Sequence, residues 1–362
     1  MKILLVGGTF DYAGGKPSGM VEHFIHYIQS ARHEMDCYNG GFIDELHHNI
    51  LPSATNYEVV IWMPNVPNDA PKMRNVKEIN PKTILISSKR NDDNKYAFSE
   101  LINRALQQKS NLVIEFSKQE NGMFQMMVFD PLGTQYYKGT NIDEMLYQLL
   151  LRAEELIHFT RVQSVQVGDA KEAPDQPAFF EFARGCSDIF HNLINPDAGV
   201  TRFLGNMSFR CQNGFPSYRG DDGLIYVSRR NVDKRYINAA SFVATYCGEN
   251  GEVCYYGEYK PSVDTPIQQR LYELFPQMNY MLHAHCYIEL PDTVRTARPV
   301  PCGALEEVQE IINATMYNGM QDNKLITINL VGHGSIIMAA SMDEITRIPY
   351  DAFKSRPMPE VV

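Results

Sequence analysis

Apolar positions in the first 160 or so residues fall into short runs, separated by stretches whose apolar residues recur with a helical period. Lys2 to Val6 reads as a strand. Ser18 to Ala31 predicts a helix, with Ser18 as N-cap and Val21, Phe24, Ile25 and Ile28 on one face. Glu58–Met63 and Thr83–Ser87 predict further strands, and Tyr96–Gln108 a helix carrying Leu101, Ile102, Ala105 and Leu106. Leu112–Phe116 is strand-like, Asn121-Gly122 offers a hairpin turn into Met123–Phe129, and Ile142–Phe159 predicts a long helix. Alternation of this kind predicts an open, mostly parallel α/β sheet of Rossmann or flavodoxin type over residues 1–165.

Residues 166–177 are polar and proline-bearing and read as a linker to a second domain, 178–362. There the pattern predicts a helix at Phe179–Leu193, a strand at Gly223–Ser228 and a helix through Gln268–Pro276. That helix runs into the apolar stretch Tyr280-Met281-Leu282-His283-Ala284-His285-Cys286. On a strand, side chains alternate faces, so His283 and His285 point the same way and can close on one ion. His333 follows another apolar run, Leu325–Val331, and has glycine on both sides, which would let the backbone approach a site closely. Three imidazoles with an open position suit a catalytic zinc. Cys286, facing the other way, reads as core.

Between the first strand and first helix lies Gly7-Gly8-Thr9-Phe10-Asp11-Tyr12-Ala13-Gly14-Gly15-Lys16-Pro17-Ser18-Gly19. Doubly wound folds bind phosphate at that position, so Gly7, Gly8 and Thr9 are candidate nucleotide or sugar-phosphate contacts. The segment matches neither G-x-G-x-x-G nor G-x-x-x-x-G-K-[ST], and a long surface turn explains the glycines equally well.

Composition narrows the field. At 362 residues the chain predicts two domains. A formal net charge of −10 argues against nucleic acid as the main partner. The sequence holds no apolar run of 18 residues, so no transmembrane helix and no membrane partner are expected. The N-terminus reads as a strand rather than a signal peptide. Seven scattered cysteines, with no C-x-x-C, fit a reduced, cytoplasmic compartment.

Five motifs of the second half occur in order: Gly205-Asn206-Met207-Ser208-Phe209-Arg210, Lys260-Pro261-Ser262-Val263-Asp264, Leu271-Tyr272-Glu273-Leu274-Phe275-Pro276, the His283/His285 strand and His333-Gly334. In these the chain resembles the class II aldolase/adducin superfamily, over about half its length. Asp264-Thr265-Pro266 is most similar to the ribulose-phosphate 4-epimerase branch; fuculose-phosphate aldolases resemble it with Glu at that place. The resemblance implies His283, His285 and His333 as ligands of Zn2+, or of another divalent ion such as Mn2+ or Co2+. It implies Asp264 as a fourth ligand or as the acid/base beside the metal. It implies Gly205, Asn206, Ser208 and Ser262 as phosphate contacts. The activity implied is a lyase or epimerase acting on a sugar phosphate or related hydroxy-carbonyl compound through a metal-stabilised enediolate. It also implies a homo-oligomer, with tetramers typical of the aldolases.

Departures from the pattern bear on this reading. Val263 replaces a serine at the phosphate, and Val227-Ser228-Arg229-Arg230-Asn231 stands where the family has a T-P-S-G-like turn; Arg229 or Arg230 can grip phosphate or carboxylate instead, or be a solvated pair. The region in which the epimerases carry a catalytic carboxylate is short. Glu289, Asp292, Glu306 and Glu307 are acids able to substitute, and Tyr350 is the one tyrosine after His333. Two alternatives compete: a non-catalytic, adducin-like assembly module, against which the three histidines count, and a bifunctional chain whose N-terminal domain binds nucleotide or sugar.

Overall fold

Strict alternation along the first strand sets up the N-terminal architecture. In the computed structural model, residues 1–119, 122–191, 203–210 and 223–354 are described. Ile3 and Leu5 of strand β1 (Lys2–Asp11) enter one buried cluster, while Leu4 and Val6 enter another on the opposite face. Helices α1 (Gly19–Ser30) and α6 (Ile142–Arg161) cover the first face through Val21, Phe24 and Ile28 and through Met145, Leu146 and Leu149. The second is covered by the segment holding the short helices α2 (Ile43–Glu45), α3 (Leu51–Ser53) and α4 (Val76–Ile79). Between β1 and β7 the sheet also contains β2 (Glu34–Phe42), β3 (Val59–Trp62), β4 (Ile84–Arg90), β5 (Leu112–Lys118), β6 (Phe124–Phe129) and β7 (Gln135–Gly139), with α5 (Phe98–Gln108) between β4 and β5. The order is β2-β1-β3-β4-β5-β6-β7. The first five strands are parallel and the last two add as antiparallel hairpins. This is the expected mostly parallel, doubly wound sheet. Of the expected Asn121-Gly122 turn, Asn121 lies outside the described residues, while Gly122 donates to the Gln119 carbonyl.

Two strands have no apolar signature and were not predicted. β2 reads Glu-Met-Asp-Cys-Tyr-Asn-Gly-Gly-Phe and pairs with β1 alone, so an edge position is held by backbone bonds rather than by burial. β7, at the opposite edge, pairs with β6 alone, and only Gln135 and Tyr136 at its start are buried.

The chain divides into two compact units after Ile157. Residues 158–165, expected in the first domain, and the expected linker 166–177 fall within the second unit. Strand β8 (Ser164–Gly168) is fully exposed, yet it extends the second sheet as an edge strand beside β12 (Val253–Tyr256). Its polar sequence looks like a linker because the ladder, not side-chain burial, holds it. Helix α7 (Pro177–His191) begins within the expected linker's last residue; the expected helical residues 192 and 193 lie outside the described ones.

The second sheet is mainly antiparallel. It contains β9 (Asn206–Arg210), β10 (Ile225–Ser228), β11 (Phe242–Cys247), β13 (Tyr280–Ala284), β15 (Val294–Arg295), β16 (Leu325–Leu330) and β17 (Gly334–Ala339), in the order β15-β16-β17-β13-β9-β10-β11-β12-β8. A separate pair, β14 (Tyr287–Ile288) with β18 (Phe353–Lys354), lies outside it. Helix α7 buries Phe179, Phe180 and Ala183 on one face with Leu282 and Ala284 of β13. The other face, including Met281, packs against α8 (Thr265–Leu274) and α9 (Glu306–Tyr317). Cys286 is buried in the α7-side cluster, as the alternation predicted. No helix among the described residues is long and apolar enough to cross a membrane.

Candidate metal centre

Central strand β13 lies between β9 and β17, with His283 opposite Asn206 on one side and Ile336 on the other. His285 follows the strand end, and His333 sits in the turn between β16 and β17. The three imidazoles are buried, and one ligand atom from each lies within 4.8 Å of the others. Glycine makes this convergence sterically feasible. A Cβ on Gly334 would stand 2.1 Å from the Ala284 carbonyl oxygen, and one on Gly205 2.6 Å from the His283 carbonyl oxygen. Gly205 also has φ +69°, in the left-handed region.

His283 and His333 are each oriented by a partner. The His283 Nδ1 nitrogen is 2.9 Å from the Ser335 carbonyl, which fixes its proton there and leaves Nε2 as a lone-pair donor. His333 Nδ1 is 2.7 Å from Glu307 Oε1, and its buried Nε2 has no nitrogen or oxygen partner among the described residues, with the Cys302 thiol beside the ring. His283 Nε2 and His285 Nε2 are 3.2 Å apart. Two nitrogens each about 2.0–2.1 Å from one tetrahedral ion stand about 3.3 Å apart. The donor set, the orphaned nitrogen and this spacing all fit a divalent metal. Burial, reinforced by His333, lowers the His283 pKa. For His333 burial also works to lower it, but the charge of Glu307 and the Cys302 thiol carry it well above the ordinary value.

Asp264 is at the N-cap position of α8, yet its side chain caps nothing. Its Oδ2 accepts from Asn206 Nδ2 at 2.5 Å, and the Asn206 carbonyl oxygen in turn accepts from Gln268. The Cys302 thiol is 3.9 Å from Asp264 Oδ1. Asp264, Asn206, Gln268, His283 and Glu307 line one small, narrow cavity.

Of the residues expected at a phosphate, the structure brings Asn206 to the centre, but its amide is committed to Asp264 and Gln268. Gly205 serves close approach to β13. Ser208 lies deeper in β9, fully buried, its hydroxyl 3.1 Å from Tyr272 Oη. Ser262 shapes the turn into α8, its carbonyl accepting from Thr265 Oγ1 at 2.7 Å. The Arg229 guanidinium lies 3.7 Å from the centre of the Tyr259 ring. Tyr350 stacks on Phe182 of α7, on the face away from α8 and α9.

Of the four acids named from the sequence, Glu307 reaches the His333 ring. Glu306, its neighbour on α9, turns instead to His158 at 2.7 Å. Consecutive helical residues point about 100° apart, so only one of the two can reach His333.

In the N-terminal unit, the segment expected as a phosphate-binding loop is partly strand. β1 continues through Asp11, so Gly7, Gly8 and Thr9 lie within it. The Thr9 amide donates to the Lys16 carbonyl and the Phe10 amide to Asn65, while Asn65 donates back to Gly8. A Cβ on Gly15 would stand 1.6 Å from the Thr9 carbonyl oxygen. The glycines serve close packing of backbone against backbone here, and the amides of Thr9 and Phe10 are used internally.

Residues 192–346 match the family described as Class II Aldolase and Adducin N-terminal domain. The C-terminal half is a class II aldolase/adducin domain. Similar solved structures include an L-fuculose 1-phosphate aldolase, 14% identical, covering 49% of this chain and 81% of its own at a TM-score of 0.31. Another is a sugar-phosphate aldolase from Thermotoga maritima, 15% identical, covering 46% and 88% at 0.30. A DNA/pantothenate metabolism flavoprotein from Streptococcus pneumoniae is 13% identical, covering 42% and 98% at 0.35. Scores and identities this low carry no functional weight. No curated protein matches the chain.

Proposed function

We propose that the C-terminal unit is a divalent-metal-dependent lyase or epimerase acting on a hydroxy-carbonyl compound such as a sugar phosphate. The observation that carries this reading is the convergence of three buried imidazoles, one with an orphaned Nε2, beside a carboxylate that caps nothing. His283, His285 and His333 would hold the ion. When bound, such an ion supplies Lewis-acid polarisation of a substrate carbonyl.

The protein's own groups do the rest. Glu307 holds the His333 ring through Nδ1, and the Ser335 carbonyl does the same for His283. Asp264 acts as the base and acid that moves the substrate proton. Asn206 aims its Oδ2 and leaves Oδ1 toward Cys302. Apolar neighbours Ile267, Met281 and Ile336 line the same cavity and keep the carboxylate in a poorly solvated setting.

Metal analysis of the purified full-length protein tests the reading. About one zinc, manganese or cobalt ion per chain is expected, and none in a His283→Ala, His285→Ala variant. A metal-free wild type, even after reconstitution with zinc, would sink the proposal.

A further inference from the structure

Lys234 lies in the single helical turn Lys234–Tyr236 that follows β10. Its side chain is 4% exposed, and among the described residues its ammonium has one hydrogen-bond acceptor, the Phe203 carbonyl at 3.1 Å. An ammonium has three donors and a full charge, and burying it against a single neutral acceptor is unfavourable. The two carboxylates that act on it electrostatically are engaged elsewhere. Asp233 takes the Arg235 guanidinium through both oxygens, and Asp264 takes Asn206.

Arg230 stands four positions earlier and is also within the field of Asp264. Its guanidinium has no hydrogen-bond or ion-pair partner among the described residues. Both cations are tied to the segments that build the centre. The Arg230 amide donates to the Lys260 carbonyl, in the segment leading to Asp264. The Phe203 carbonyl that holds Lys234 lies just before Gly205 and Asn206. Meanwhile the hydroxyls expected at an anion are engaged or absent: that of Ser208 faces Tyr272, that of Ser262 accepts from the Asp264 amide at 3.4 Å, and position 263 is valine.

We propose that Lys234 and Arg230 bind the anionic group of the substrate handled by the histidine centre, making that substrate a phosphate- or carboxylate-bearing hydroxy-carbonyl compound. This rests on the lyase reading for the word substrate, but the anion site itself can be tested apart from it. Lys234 supplies a buried point charge, and Arg230 a planar fork that matches two oxygens of either group.

The test is calorimetric titration of the full-length protein with inorganic phosphate and, separately, with succinate. The wild type is expected to bind one of them saturably. Lys234→Met and Arg230→Gln should each weaken it about tenfold or more while leaving metal content unchanged. Preference for phosphate or succinate identifies which anion the substrate carries. Lys234→Met should also be no less stable than wild type in the absence of anion. Three results would overturn the proposal: no binding of either anion by the wild type, undiminished binding by both variants, or binding that vanishes only in the metal-free histidine variant. A Lys234→Met protein that melts earlier yet binds anion normally would reduce Lys234 to a structural bond to Phe203. Anion binding by a wild type that takes up no metal would count against the lyase reading and still support the cationic pair.

Discussion

Two glycine-bearing strand ends in this molecule are put to opposite uses. At the end of β1, glycines let three backbone segments close on one another, and the amides of Thr9 and Phe10 are spent on protein carbonyls. At the starts of β9 and β17, Gly205 and Gly334 also let backbone approach backbone. There, however, the closeness brings side chains together, and His333 Nε2 is left with no nitrogen or oxygen partner among the described residues. Glycine and position are alike in both places. What separates a packed turn from a candidate site is whether polar atoms remain unsatisfied after the chain has closed.

Substitution of those glycines is the largest way to break the comparison. Gly15→Ala and Gly334→Ala each force a Cβ into a backbone carbonyl, at 1.6 Å and 2.1 Å. Each is expected to cost about 2–4 kcal/mol in urea unfolding. They should differ in metal content: Gly15→Ala keeps the ion and Gly334→Ala loses most of it. Equal metal content in both variants would erase the distinction.

Glu307→Gln is a smaller test. It keeps the side-chain shape but removes the charge that holds the His333 ring at 2.7 Å. Metal affinity, read by competition with a chelator, should fall about 10–100-fold. An unchanged affinity would show that Glu307 does not support the ligand.

Buried lysines give the subtlest contrast. Burial lowers both Lys77 and Lys234 from 10.5 to about 8. Lys77, in the N-terminal unit, has the Thr83 carbonyl at 2.5 Å and the Pro81 carbonyl at 3.5 Å, whereas among the described residues Lys234 has Phe203 alone. Between about pH 8 and 10.5 the unfolded chain binds more protons than the folded one at each site, so stability rises with pH in that window. The rise due to Lys234 should amount to about 1–3 kcal/mol and be absent from Lys234→Met. Identical pH profiles for wild type and variant would show that Lys234 is not held in an unfavourable charged state.

Much of the site was legible because its signals are local. His283 and His285 share a strand face by alternation alone, and the glycines beside His333 announce a close approach that Gly334 makes. Other features depend on which segments meet. Glu307 could not be told from Glu306, Glu289 or Asp292 until helix α9 was set against the β16–β17 turn. Ser208 shares a strand face with Asn206, yet it lies deeper along β9 and meets Tyr272 rather than the cavity. β2, β7 and β8 were invisible or misread because edge strands are stabilised by backbone bonds that leave little trace in hydrophobic pattern.

The sequence by itself determined the two α/β halves and the identity of the three histidines, since periodicity and motif order are properties of the chain. Only the tertiary structure decided that the β1 glycines pack backbone and that Glu307 is the acid behind His333. It alone left Lys234 buried with a single neutral hydrogen-bond acceptor among the described residues. Those outcomes depend on contacts between segments distant in sequence, where hydrogen-bond satisfaction and burial are settled jointly by neighbours that no local pattern specifies.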